Sequence, residues 1–317
     1  MRVLAADIGA TNARFALAQT GAGGVRVRFE RDYATASHPG FEAALRAFLG
    51  ELAATHGTVL APTRAVIAVA GPVQAGEAWL PNRPSWRISR RAVESELRIP
   101  TQLLNDFEAL ALGVARATPQ DWIALQPGEL QPQANIALVG AGTGLGVAAL
   151  FWDGQRHRPL ATEAGHVSFA PQDDAQAALW RHLLARHGRV SAERVLSGSG
   201  IAAIHEFLGG APAEPAAVAA RAQDEPHGAA AGAMDLFIAC YGSFAGDIAL
   251  AFLARGGLYV CGGIAAKLAP RFARGDFISA FCAKGRHRSL AASIPVRLVV
   301  NERLGLLGAA LAAIDQE

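Results

Sequence analysis

The sequence predicts an α/β protein of two lobes, and three observations carry that reading. The chain has 317 residues, long for one compact core and suited to two. Short apolar runs of strand character alternate with longer segments of helical periodicity. A β-hairpin with a glycine-rich tip occurs twice, as DIGATNARFAL from Asp7 and as GAGTGLGVAAL from Gly140. Hydrophobic residues make up 51% and charged ones only 18%, with 34 glycines, which excludes a disordered chain, a coiled coil and a small disulfide scaffold. Lys and Arg number 29 against 27 Asp and Glu, a net charge of +2. Overall charge therefore gives no argument for nucleic acid or an anionic membrane.

The elements follow in order. Residues 2–17 read as strand, turn, strand, with VLAA and ARFALA flanking the turn chemistry of DIGATN. VRVRFERDYA alternates like a third strand with one wet face. Ser37, His38, Pro39 and Gly40 then break the chain before the helix Phe41–His56, which sets Phe41, Leu45, Phe48, Leu49 and Leu52 on one side. A buried strand over 64–70 ends at Gly71-Pro72; a helix near Arg90–Leu97 and a strand over 101–104 lead to Asn105-Asp106. The second half repeats the style, with strands over 135–140 and 147–152 around the AGTGLG turn. Helices are predicted at Asp174–His187, 234–253 and 305–315, and strands at Leu258–Cys261 and 295–300. The stretch 209–228, rich in Ala, Pro and Gly, reads as a surface excursion. The expected division is a smaller lobe of residues 1–114 completed by 301–317, and a larger lobe of 115–300.

Cys240, Cys261 and Cys282 are odd in number and lack the close pairing of zinc ligands, so ordinary buried thiols in a reducing compartment are expected. Asp7 arrives before any signal-peptide apolar region. The longest uncharged run, 136–152, is shorter than the roughly 20 apolar residues of a spanning helix and is broken by Gly140, Gly142, Thr143, Gly144 and Gly146. The expectation is a cytoplasmic protein binding neither membrane nor nucleic acid.

At the first tip, Gly9 and its small neighbours let backbone N–H groups approach an anion, Thr11 adds a hydroxyl, and Asp7 is placed to orient a hydrated Mg²⁺. A plain tight hairpin explains the same residues. Gly142, Thr143 and Gly144 repeat the logic, and two such tips between apolar strands favour a two-sided phosphate cradle. Neither tip is followed by Gly-Lys-Ser/Thr or opens a helix. Asp106 at a strand end suits a general base, while Asn105-Asp106 equally suits a helix N-cap. Glu163, His166 and Glu193 could grip vicinal hydroxyls; taken singly, His166 reads as structural and Glu193 as a charge at a helix start. Arg14, Arg156 and Arg158 are expected to be solvated charge, and Asn82 a turn residue.

DIGATNARFAL, LLNDFEALALG, GAGTGLGVA, TEAGHVSFAP, VSAERVLSGSG and YVCGGI occur in this order over nearly the whole chain. As a set they resemble the bacterial glucokinases of the proteobacterial type, within the actin/hexokinase/Hsp70 ATPase superfamily. The resemblance implies a two-lobed actin-like ATPase (ribonuclease H-like) fold, with the active site in the interdomain cleft closing over bound sugar. It also implies ATP and Mg²⁺ as cofactors, D-glucose as substrate and a homodimer. On it, Asp106 is the base for the sugar 6-hydroxyl, and Asn105, Asp106, Glu163, His166 and Glu193 bind the sugar. Asp7 (Mg²⁺, through water), Ile8, Gly9, Ala10, Thr11, Gly142, Thr143, Gly144, Gly262 and Gly263 face the nucleotide, although a strand-to-helix turn explains the last two equally. Ala10 stands where the family pattern has Gly. If that position needs positive φ, Ala costs on the order of 1 kcal/mol; at ordinary φ the cost vanishes and a methyl faces the phosphates.

Three other readings compete with this one. A kinase for another hexose or an N-acyl hexosamine differs only in a pocket the sequence does not display. A kinase-like sugar-sensing regulator would need an N-terminal DNA-binding domain ahead of Asp7, and the clustered Cys motif of the zinc-containing sugar kinases is missing. An actin-like filament protein would leave the polar sugar set without a purpose.

Overall fold

The computed structural model describes residues 1–21 and 24–314 and divides the chain into two compact units. The first is Met1–Ala117 with the C-terminal segment from Arg303; the second is Thr118–Glu302.

In the first unit, β1 (Arg2–Ile8), β2 (Asn12–Gly21) and β3 (Gly24–Ala34) form an antiparallel meander. After α1 (Phe41–His56), β4 (Arg64–Val69) joins parallel to β1. A small sheet of β5 (Val73–Gln74), β6 (Glu77–Leu80) and β7 (Arg83–Ser89) follows, then α2 (Arg90–Leu97), β8 (Thr101–Asn105) and α3 (Asp106–Val114). The main sheet has the order β3-β2-β1-β4-β8. Strand alternation divides β1 between two cores. Leu4, Ala6 and Ile8 pack with Phe15, Phe41, Phe48 and Trp86 on one face. Val3 and Ala5 pack with Ala68, Leu112 and Ala309 on the other, under α3 and the C-terminal helix (Leu304–Ala312). A strand buried on both faces has to be apolar throughout, which is why VLAA shows no alternation.

The second unit repeats the plan. It begins with β9 (Trp122–Gln126), β10 (Ile136–Ala141), β11 (Leu145–Trp152) and β12 (His157–Thr162). Next come α4 (Asp174–His187), α5 (Ala192–Val195), α6 (Gly198–Phe207), α7 (Pro215–Asp224) and α8 (Ala229–Ala251). The chain continues through β13 (Leu258–Cys261), α9 (Gly263–Lys267), α10 (Ala269–Phe272), α11 (Asp276–Cys282), α12 (Arg288–Ser293) and β14 (Val296–Val299). The sheet order is β12-β11-β10-β13-β14-β9, again an antiparallel meander extended by two parallel strands, here with β9 added antiparallel at the far edge. The loose duplication of glycine-tipped hairpins is therefore a duplication of sheet topology.

Two readings of the sequence change. The stretch 209–228 contains the helix α7, whose Val218 and Ala222 are buried. Alanine is the best helix former, and Pro215 at the first turn gives up only an N–H that would have been orphaned there; an Ala- and Pro-rich composition is here compatible with a regular helix. The helix expected over 234–253 starts earlier, at Ala229. By length and composition α8 could cross a membrane, but 72% of its most apolar stretch is buried inside the unit. It is the core helix, with Met234, Phe237, Tyr241 and Ile248 packed among Phe272, Phe277 and Phe281. The run 136–152 is the β10–β11 hairpin, and all three cysteines are buried and unpaired by disulfides.

Candidate active site

β1 carries Asp7 to the end of the first sheet, where the chain reverses into β2. Ile8 turns its side chain into the core, and its carbonyl accepts the Ala70 N–H. The Gly9 N–H closes the turn on the Asn12 carbonyl at 2.8 Å. The Ala10 carbonyl accepts from the Thr35 hydroxyl at 2.6 Å and from Arg83 Nε at 2.7 Å, so the tip is braced from two sides. Among the described residues, positive φ outside glycine occurs only at Ala75, Arg98 and Leu253. Ala10 therefore sits at ordinary φ, and the unstrained alternative holds.

Arg14 is not solvated charge, as the sequence suggested. Strand register sets it opposite Asp7 and Asp32, with its guanidinium 3.7 Å and 3.8 Å from their carboxylates. Arg303 extends the row by donating to Asp32. Burial pushes the Asp7 carboxyl above the usual aspartate range, and Arg14 and Arg303 pull in the opposite direction. Arg158, by contrast, is an exposed residue paired with Asp153, and Asn82 lies in an exposed turn.

Asn105 is the N-cap of α3. Its Oδ1 accepts from the Phe107 N–H at 2.9 Å and its Nδ2 donates to the Gly71 carbonyl at 3.3 Å. Glu108 accepts from the Asn105 backbone N–H, completing a capping box. Burial pushes the Glu108 carboxyl up. The sequence reading missed Glu108, although Asn-x-x-Glu at a strand end is its signal. The box holds Asp106, half-buried, as the first residue of the helix. The cap reading of this pair is thus correct for Asn105, and it leaves Asp106 at the strand-to-helix corner.

In the second unit, the Gly142 N–H closes its turn on the Gly144 carbonyl at 2.8 Å, and the Gly142 carbonyl accepts from Gly198 at the start of α6. The preceding Ala141 N–H donates to the buried Tyr241 hydroxyl at 3.0 Å. Gly262 takes φ of 89°, and a Cβ there would lie 2.5 Å from the Ala141 carbonyl. Only glycine allows α9 to start this close to the tip. A pocket of about 430 Å³ opens beside the tip, lined by Thr143, Ser199, Pro215, Ile264 and Lys267 among others. The contributions of α6 and α7 to this wall were missed from sequence, since they come from distant segments. Replacing Tyr241 by Phe strands the Ala141 N–H and is expected to cost about 1–3 kcal/mol. Urea unfolding at unchanged m-value measures it; an unaltered midpoint would mean that the bond contributes nothing.

Glu163, His166 and Glu193 are brought together. His166 Nε2 lies 3.8 Å from Glu163 Oε2, and its Nδ1 lies 3.9 Å from Glu193 Oε1. The 3₁₀ turn Ala164–His166 places the first two, and α5 places the third. Their side chains are 85%, 54% and 34% exposed respectively, open to a polar ligand. Glu193 Oε2 also accepts from the Leu145 N–H at 3.0 Å, at the second tip.

Two duplicated sheets ending in glycine tips, with a strand-end carboxylate and a carboxylate–imidazole cluster, define a class: sugar kinases of the actin-like ATPase fold. The family model for glucokinase matches residues 4–316, and the chain belongs to the glucokinase family. It is 40% identical to the glucokinase of Chromohalobacter salexigens, over 99% of this chain and 98% of that one. A glucokinase crystal structure from an Antarctic psychrotroph superposes with a TM-score of 0.88 at 31% identity, covering 99% of each chain. The fold is also that of a ROK family glucokinase from Streptomyces griseus in complex with glucose and AMPPNP. That comparison has a TM-score of 0.66 at 19% identity and covers 99% of this chain and 100% of that one. The chain is accordingly a kinase of D-glucose, an ATP:D-glucose 6-phosphotransferase.

Proposed function

We propose that Asp106 is the general base of this reaction, taking the proton of the glucose 6-hydroxyl as that oxygen attacks the terminal phosphoryl group of ATP. The observation that supports the reading is the convergence of Glu163 and His166, from one turn, with Glu193 from α5 into an open cluster of hydroxyl-binding chemistry. These three hold the sugar ring hydroxyls, each carboxylate accepting from hydroxyl donors. Asn105, in the first unit, would offer the sugar the second hydrogen of its Nδ2, since its Oδ1 is committed to the cap. Phosphoryl transfer is loose, so placing the attacking oxygen matters as much as its deprotonation. The capping box that fixes Asp106 serves that placement.

Gly9 and Gly142 spend their N–H groups on closing their own turns. The donors offered to phosphate oxygens are therefore those of Ala10 and Thr11 at one tip and of Thr143 and Gly144 at the other, hydroxyls included. The pocket beside the second tip suits the adenosine, with Gly262 and Gly263 at its edge. No cluster of three or more His, Cys, Asp or Glu able to hold a metal occurs among the described residues. Asp7 would be the residue to hold Mg²⁺, its carboxylate standing beside the tip with 17% of the side chain exposed, and phosphate oxygens and water would supply the other ligands. When bound, Mg²⁺ would neutralise charge on the phosphates.

A coupled ADP-release assay with Mg-ATP tests the reading on glucose, mannose, fructose and N-acetylglucosamine. Turnover is expected on glucose with the highest kcat/KM; preference for another of the four would reassign the substrate. We expect a cytoplasmic homodimer, and a light-scattering mass of one chain would overturn the dimer.

A further inference from the structure

The reading of Glu193 as a sugar ligand, on which this inference rests, gives that residue only one of its two carboxylate oxygens. Oε1 faces His166 at 3.9 Å, on the side of the hydroxyl-binding cluster. Oε2 is bound to the Leu145 N–H at 3.0 Å, where β11 leaves the second glycine tip. The tip and the cluster also meet at the same residue by packing, since a Cβ on Gly165 would lie 1.9 Å from the Leu145 carbonyl. α5 is tied to the cluster through its own backbone, with the Ala192 N–H donating to the Val167 carbonyl at 2.8 Å.

We propose that Glu193 is a coupling strut, by which sugar held at Oε1 stiffens the 142–144 tip through Oε2 and so raises nucleotide affinity. Glu193 is one-third exposed, so water reaches its carboxylate. A sugar hydroxyl donated to Oε1 displaces that water and restrains the side chain. The Leu145 N–H···Oε2 bond then lies in a drier setting, where it is stronger. The tip loses freedom before the nucleotide arrives, and the nucleotide no longer has to order it. By linkage, nucleotide must tighten sugar binding by the same factor.

Gly144 makes the strut testable from the nucleotide side. Within 4 Å a Cβ on Gly144 would meet only Glu193, 2.5 Å from Oε2 and 3.4 Å from Cδ. Its φ is ordinary, and the atom it displaces is the end of a flexible side chain. Gly142, on the same tip, has nothing within 4 Å of its Cβ position. Gly144→Ala therefore moves Glu193, whereas Gly142→Ala puts a methyl at the phosphates and leaves Glu193 alone.

The test is calorimetric titration of Mg-AMPPNP with and without saturating glucose, and of glucose with and without Mg-AMPPNP. In the wild type each ligand is expected to tighten the other by about 5-fold or more, the lower end of usual coupling. Gly144→Ala is expected to weaken glucose binding about tenfold, roughly the loss of one good hydrogen bond to a charged group, and to cut the coupling below about twofold. Gly142→Ala is expected to weaken AMPPNP while glucose affinity stays within twofold of wild type. Glu193→Gln, which keeps an oxygen for Leu145 but loses the charge, is expected to lower the coupling and the glucose affinity together. It carries the test if Gly144→Ala does not fold. Wild-type glucose affinity and coupling in Gly144→Ala would overturn the strut, as would full coupling in Glu193→Gln or no coupling in the wild type. A wild-type enzyme that turns over glucose without coupling sinks the strut alone; glucose affinity unchanged in Glu193→Gln sinks the sugar-ligand reading beneath it.

Discussion

Asp106→Asn is expected to lower kcat about 10²–10⁴-fold, the usual worth of a positioned general base. Glucose binding should survive within a few-fold, because the amide keeps one acceptor oxygen and the ring hydroxyls are held by Glu163, His166 and Glu193. The fold should survive as well. Asn105 and Glu108 supply the cap of α3 through bonds to the Phe107 and Asn105 N–H groups. Single-turnover kinetics with glucose saturating separates the chemical step from binding. Turnover near wild type would remove Asp106 from the base role and turn attention to Glu108, the neighbouring carboxyl raised by burial.

The second large effect is at Asp7. Asp7→Asn is expected to lower kcat/KM for Mg-ATP about 10²–10³-fold, comparable with removing one electrostatic stabiliser from an active site. Its effect on stability should run the other way. Burial raises the Asp7 carboxyl, so the folded state holds that proton more tightly than the unfolded chain does. For a group raised on folding, the linked stability is present below the unfolded pKa and is lost as pH rises through the folded pKa. At neutral pH the ionised carboxylate is therefore a net cost, and Asn removes it while Arg14 keeps Asp32 as a partner. The variant should melt at or above wild type at pH 7, and the gap should close as pH falls through the raised pKa. A variant that is less stable than wild type at neutral pH would mean that the Arg14 pair outweighs desolvation. Unchanged Mg-ATP kinetics would take Asp7 away from the metal.

Asp7 is expected to cost stability and Asn105 has its amide mostly committed to a cap, so the two illustrate different ways a site is built. A carboxylate buried at a strand end is tolerated because the alternating register supplies Arg14 beside it. A capping residue costs nothing, since an orphaned helix N–H needs an acceptor in any case. The Glu163 cluster is a third case, assembled from a 3₁₀ turn and a four-residue helix that have little stability of their own. Those segments are held by their neighbours, through the Ser168–Ser191 bridge and the Ala192 N–H.

Much of this was legible in the sequence. The helices Phe41–His56, Arg90–Leu97 and Asp174–His187 were bounded correctly. Their breakers and caps lie next to them along the chain: Gly40, Ser89, Asp173 and Gly188. Both hairpins were visible because apolar runs flank turn residues within a dozen positions. The same logic failed at α7, whose Ala-rich face becomes a core face only because α6 and α8 lie against it.

By itself, then, the sequence determined which residues were available: two glycine tips, a carboxylate at each of two strand ends, and the Glu163, His166 and Glu193 set with its family. Tertiary structure alone decided how they are used. It placed Ala10 at ordinary φ, paired Arg14 with Asp7, consumed the N–H groups of Gly9 and Gly142, and joined Glu193 to Leu145 across 48 residues of chain. The reason is physical. Turn chemistry and periodicity act between neighbours and can be read along a line, whereas a hydrogen-bond partner or a Cβ clash exists only once distant segments have been packed within a few ångströms of each other.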